Sequence, residues 1–268
     1  MSSVALPSVN PPSVDLKYEI VGDGPPVVVL HGLFGAGRNW ITVARALASH
    51  YRFYLVDLRN HGGSPHTDTM TYLDMVVDVR RLIETLALDE FTLVGHSMGG
   101  KAAMTLALND ARGLGRVINV DIAPVTYPDR FVDVIDALEA LDLHAIARRS
   151  DADRALANAI PETAVRLFIL QNLVFEQGRP RWRLNLATLK RDMAQILGPL
   201  PVATQAHYDG PTWFIRGELS DRITDEHLPL IARWFPNYHL ETVIGGGHWP
   251  HSEAPAAFMA AFAHALDA

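Results

Sequence analysis

A serine hydroxyl is a useful nucleophile only when it is positioned, relieved of its proton and given somewhere to put negative charge. Gly95-His96-Ser97-Met98-Gly99-Gly100 is suited to the first of these tasks. It follows the apolar run Phe91-Thr92-Leu93-Val94 and precedes a helix-forming run, Lys101 to Leu108. Strand, sharp turn and helix is the setting in which G-x-S-x-G holds a serine at the tip of a strained turn. Glycine at 95 and 99 keeps side chains away from the neighbouring strand and helix. The helix behind Ser97 aims its positive end at the oxygen. His96, one step earlier on the strand, projects to the opposite face and reads as structural.

The proton needs a base, and twelve histidines compete. His248 stands out because Gly245-Gly246-Gly247-His248-Trp249-Pro250 is a Gly-rich loop after the last strand-like run. It also lies downstream of Ser97 and of the candidate acids, in the chain order Ser, acid, His. Two acids remain open. Asp121 ends the run Val117-Ile118-Asn119-Val120, and Asp221 lies in the loop after Ile215. Ser220 falls where an aspartate would be expected and can hydrogen-bond the acid or the imidazole without supplying charge. Asp121 ranks first and Asp221 second.

Negative charge on a tetrahedral intermediate needs backbone donors. Val27-Val28-Val29-Leu30 reads as a buried strand running into His31-Gly32-Leu33-Phe34-Gly35-Ala36-Gly37. The N–H of Leu33 is expected to join that of Met98 as an oxyanion hole. Glycines at 32, 35 and 37 do not match G-x-G-x-x-G, and the loop has no P-loop lysine, so no nucleotide cofactor is expected. With no cysteine there is no thiolate site, and no metal is expected. His61 reads as a structural loop histidine near the pocket.

These groups need a scaffold. Alternation over Val14 to Val21 predicts a half-buried strand, with Val14, Leu16, Tyr18 and Ile20 on one face. Further strands are predicted at Phe53–Asp57, Thr212–Arg216 and Tyr238–Ile244, with helices at Asn39–His50, Tyr72–Leu86, Leu228–Phe235 and Pro255–Leu266. The strand rhythm stops between Thr126 and Gln205, where Phe131–Ala145, Glu162–Glu176 and Asn185–Leu197 carry helical periodicity. An α/β core of residues 1–124 and 206–268 with a helical cap inserted at 125–205 is the expected organisation.

Hydrophobic residues make up 49% of the 268 and charged residues 20%, which places the chain among globular proteins. A net charge of −7 argues against a general nucleic-acid partner. Met1–Pro12 lacks the basic-then-apolar pattern of a secretory signal, and no run is long enough to span a bilayer. A cytoplasmic protein without a membrane partner is the expectation, its oligomeric state unspecified.

Taken together, Gly95–Lys101, His31–Gly35, Arg59-Asn60-His61-Gly62, Asp121-Ile122-Ala123-Pro124 and Arg181-Trp182-Arg183-Leu184-Asn185-Leu186 resemble the α/β-hydrolase superfamily and its YbfF-type esterase subgroup. The resemblance implies a mostly parallel sheet flanked by helices. It also implies an acid after the earlier strand with a serine in the usual acid slot, here Asp121 and Ser220. The implied substrates are small-molecule short acyl esters and acyl-CoA thioesters, cleaved through an acyl-enzyme. Phe34, Phe168 and Leu173 are candidate acyl-pocket residues. The rival readings are a small-ligand receptor with slow turnover, or a C–C hydrolase, acyltransferase or perhydrolase on the same fold.

Overall fold

The computed structural model describes residues 12–268. Nine strands occur among them: β1 (Tyr18–Val21), β2 (Pro26–Leu30), β3 (Arg52–Val56), β4 (Phe91–His96), β5 (Leu114–Val120), β6 (Leu173–Glu176), β7 (Arg179–Trp182), β8 (Thr212–Gly217) and β9 (Tyr238–Val243). Seven form one sheet in the order β1-β3-β2-β4-β5-β8-β9. All neighbours in it are parallel except β1, which pairs antiparallel with β3.

The unbroken apolar runs of the central strands follow from burial on both faces. Successive side chains alternate between two cores. Val27, Val29, Phe53, Leu55, Val94, Ile118, Trp213 and Ile215 pack with Trp40, Phe258 and Phe262. Val28, Leu30, Tyr54, Val56, Leu93, Val117 and Phe214 pack with Met75, Val79, Ala103 and Met104 on the other side. The helices Tyr72–Thr85 and Pro255–Asp267 lie close to their expected positions, and Thr71 caps the first by accepting from the Asp74 N–H.

Differences from expectation have local causes. The first strand is confined to Tyr18–Val21, and Ile20 is 51% exposed at the sheet edge, where β1 has β3 as its one neighbour in the sheet. Asn39–His50 is a 3-10 turn, Gly37–Trp40, followed by a short helix, Ile41–Ala46. The segment between β5 and β8 is not purely helical. Its helices are Val132–Glu139, Arg149–Leu156, Thr163–Leu170, Leu186–Arg191 and Met193–Leu197. The helix expected over Glu162–Glu176 stops at Leu170, and the chain continues into the β6–β7 hairpin. Gln177 and Gly178, both with positive φ, form its two-residue turn.

The strand order reverses around β2: the chain moves to β3 on one side, then crosses to β4 on the other. Crevices outside the carboxyl ends of strands at such a reversal are where α/β sheets bind ligands. Ser97 follows β4, Asp121 follows β5, Ser220 follows β8 and His248 follows β9, so all four lie at that edge.

Candidate active site

Ser97 sits at φ 51°, ψ −117°, in the left-handed half of backbone space, between β4 and the helix Met98–Asn109. The turn is possible because the flanking glycines bring backbones together. A Cβ on Gly95 would lie 2.2 Å from the Gly99 carbonyl oxygen, and one on Gly99 would lie 2.3 Å from the Leu30 carbonyl oxygen. Both separations are far inside van der Waals contact.

From Ser97 a hydrogen-bonded chain runs inward. Ser97 Oγ lies 3.1 Å from His248 Nε2, and His248 Nδ1 lies 2.8 Å from Asp121 Oδ2. Asp121 is fully buried, with φ 48°. Its Oδ1 accepts from the Gly217 N–H at 2.9 Å, and its Oδ2 also accepts from the Ser220 hydroxyl. A carboxylate so placed can only accept, so Nδ1 of His248 carries the proton and Nε2 is left to accept from Ser97. Asp221 is not part of this chain. Its side chain is 69% exposed, 3.9 Å from Arg130 and 3.5 Å from Arg222, because the loop turns it outward while Ser220 faces in.

His96 does more than fill space. Buried, it bonds through Nε2 to the carbonyl oxygen of His248 at 2.7 Å and so fixes the backbone that carries the imidazole. Burial holds its pKa well below the ordinary histidine value, and His248 and His251 reinforce the shift.

The loop after β2 is held peptide by peptide. The Gly32 carbonyl accepts from His31 Nδ1 at 2.8 Å and from the Gly35 N–H at 2.9 Å. In a trans peptide the C=O and the next N–H point in opposite directions, so these bonds aim the Leu33 N–H away from them. His31 Nε2 in turn accepts from the Leu58 N–H, and His61 Nε2 accepts from the Phe34 N–H at 3.3 Å. Both imidazoles are neutral: burial lowers His31 to about 4 and His61 to about 3. The N–H groups of Leu33 and Met98 donate to no acceptor among the described residues.

A cavity of about 380 Å³ opens over Ser97 and His248. Phe34, Phe168, Phe131, Val165 and Trp249 give it apolar walls, and Arg130, Arg222 and Glu162 add charge. The expectation for Leu173 does not hold. It is fully buried in the main core at the start of β6 and does not line this cavity. The helix stops at Leu170, and the strand that begins at Leu173 turns this side chain into the core.

The quoted motifs outside the elbow also find their place. Asn185 donates to Asn60 Oδ1 and to the Thr67 carbonyl, and His66 bonds the Arg183 carbonyl. These bonds tie the segment between β5 and β8 to the loop after β3. Lys101, buried behind Ser97, donates to the carbonyls of Val125, Leu197 and Gly198, where that segment leaves and rejoins the core. Burial lowers its pKa to about 7.

The chain is similar in sequence and fold to known proteins. Residues 27–261 match the model of the alpha/beta hydrolase family. The sn-1-specific diacylglycerol lipase ABHD11 of Xenopus laevis is 38% identical over 265 residues, spanning 95% of this chain and 84% of that protein. Esterase YbfF of Escherichia coli strain K12 is 31% identical over 243 residues, spanning 90% and 93%. Among solved structures, a marine microorganism esterase superposes with a TM-score of 0.89 at 34% identity, covering 94% of this chain and 99% of its own.

Proposed function

The chain belongs to the alpha/beta hydrolase family, and from that premise we propose that it is a serine esterase acting on short acyl esters and acyl-CoA thioesters. The observation that carries the reading is the unbroken chain from Ser97 Oγ through His248 to buried Asp121. Relatives whose names are esterase and lipase support ester chemistry.

In this reading His248 Nε2 takes the Ser97 proton as the oxygen attacks the acyl carbon. The carbonyl oxygen becomes an oxyanion between the N–H groups of Leu33 and Met98, where preorganised donors count for more than water would. His248 then protonates the leaving alcohol or thiol, and a water activated by the same imidazole releases the acid. Asp121 keeps the imidazole in the accepting tautomer, and Ser220 orients Asp121. Phe34 and Phe168 flank the acyl chain. Residues 125–205 act as a cap that limits its length and keeps bulk water from the acyl-enzyme.

The test is turnover of p-nitrophenyl butyrate and butyryl-CoA by the wild type and by Ser97→Ala. The reading expects hydrolysis by the wild type and none above background by the folded variant. Equal rates in both proteins, or a wild type inert toward esters and thioesters from acetyl to octanoyl, would end it.

A further inference from the structure

The loop carrying Leu33 has a conformation its own sequence does not favour. Phe34 stands at φ 60°, a region that a side chain with a Cβ avoids. Something outside the loop must hold it there. On one side the Phe34 N–H is taken by His61. On the other, the Phe34 carbonyl accepts from Asn172 Nδ2 at 2.7 Å, across 138 positions of sequence. Asn172 belongs to the segment inserted between β5 and β8, just before β6.

Asn172 is itself anchored. It is 4% exposed, its N–H donates to the Ile169 carbonyl, and its own carbonyl accepts from the Arg183 N–H. Its neighbour grips the same region of the core: the Gln171 carbonyl accepts from Arg38, and the Gln171 side chain accepts from Asn39. The insertion therefore reaches the loop after β2 through a short, well-tethered stretch in which Asn172 hydrogen-bonds the left-handed residue, and through Phe131, whose ring packs edge-on against that of Phe34.

We propose that Asn172 is a positioning residue for the oxyanion hole. By holding the Phe34 carbonyl it fixes the peptide that carries the Gly35 N–H, which donates to the Gly32 carbonyl, and through that bond the aim of the Leu33 N–H. The seating of the insertion on the core is thereby coupled to the competence of the site. The inference rests on the esterase reading, since it needs an oxyanion to be stabilised.

The experiment uses the full chain with Asn172→Ala and Asn172→Leu, the second keeping the branched heavy-atom skeleton while removing the donor. Three quantities are compared with the wild type: kcat and KM for p-nitrophenyl butyrate, the inhibition constant of an alkyl trifluoromethyl ketone, and the melting temperature. Loss of a whole oxyanion donor costs about 10²–10³ in kcat, so a misaimed one should cost about 30-fold. The proposal expects that fall in kcat with KM within about threefold, and a matching loss of ketone affinity, because the ketone mimics the tetrahedral state and the substrate does not. A kcat close to the wild-type value in either folded variant overturns it. So does a fall in kcat with ketone affinity unchanged. Failure of both variants to fold would reduce Asn172 to an ordinary anchor and likewise overturn it. A wild type without esterase activity would instead defeat the underlying reading, which Ser97→Ala tests separately.

Discussion

Replacing Asp121 by asparagine changes one atom, and the structure indicates where that atom must go. The Gly217 N–H points at Oδ1 from 2.9 Å, so the amide oxygen has to take that place and the NH2 group the place of Oδ2. There it faces the Ser220 hydroxyl and His248 Nδ1. Ser220 can rotate its proton away and accept. The imidazole can accept at Nδ1 only by moving its proton to Nε2, and it then presents a donor to Ser97 where an acceptor is needed. The variant should fold, because each buried polar atom keeps a partner, yet lack its base. The same change in other triads costs about 10⁴ in kcat, or about 5 kcal/mol of transition-state stabilisation. Asp221→Asn removes an exposed carboxylate paired only with Arg130 and Arg222 and should alter kcat by less than about twofold. Initial rates on p-nitrophenyl butyrate, with melting curves for both variants, decide the matter. An Asp121→Asn enzyme that keeps more than about a tenth of wild-type kcat, or a larger loss in Asp221→Asn, would refute the tautomer argument.

Other consequences follow from the packing. Gly95→Ala places a methyl group 2.2 Å from the Gly99 carbonyl oxygen and should abolish soluble, folded protein, as read by expression and circular dichroism; an active, stable variant would contradict the elbow geometry. Lys101→Met leaves the carbonyls of Val125 and Gly198 without their donor, while that of Leu197 keeps the Tyr127 N–H, and should lower unfolding stability by about 2–4 kcal/mol in urea titration. An unchanged midpoint would show that these bonds contribute little. His31, His61 and His251 are held near 4, 3 and 4 by burial. Above the ordinary histidine pKa they are neutral in both states and contribute nothing to the pH dependence. As pH falls below about 6.5 the unfolded chain takes the protons first, so stability should drop by up to about 1.4 kcal/mol per pH unit for each, until the folded values are reached. A urea midpoint constant from pH 7.5 to 5 would contradict burial of neutral imidazoles.

The elbow was legible in the chain because its glycines answer a steric demand within five residues, and such demands leave a local pattern. The sheet was legible for a similar reason: strands covered on both faces must read as Val27-Val28-Val29-Leu30 and its like. Asp121 could be singled out by its place at a strand end, but its separation from Asp221 needed the direction in which the loop after β8 turns. Leu173 went astray because apolar character marks burial without saying whether a residue faces a cavity or the core. The β6–β7 hairpin was hidden because four-residue strands carry too little periodicity to outvote the helix before them. Asn172, His61 and His96 work through bonds to backbone groups far away in the chain, and such partnerships leave no spacing to read.

Every step of the proposed cycle depends on a covalent bond between Ser97 and the acyl group. It can be read by incubation with diethyl p-nitrophenyl phosphate, which phosphorylates a serine activated for attack far faster than other side chains, followed by peptide mass spectrometry. One diethylphosphoryl group per chain is expected, on the peptide containing Ser97 and on that residue, with loss of esterase activity in step and no adduct in His248→Ala. An unmodified Ser97, or an adduct elsewhere that tracks the loss of activity, would contradict it.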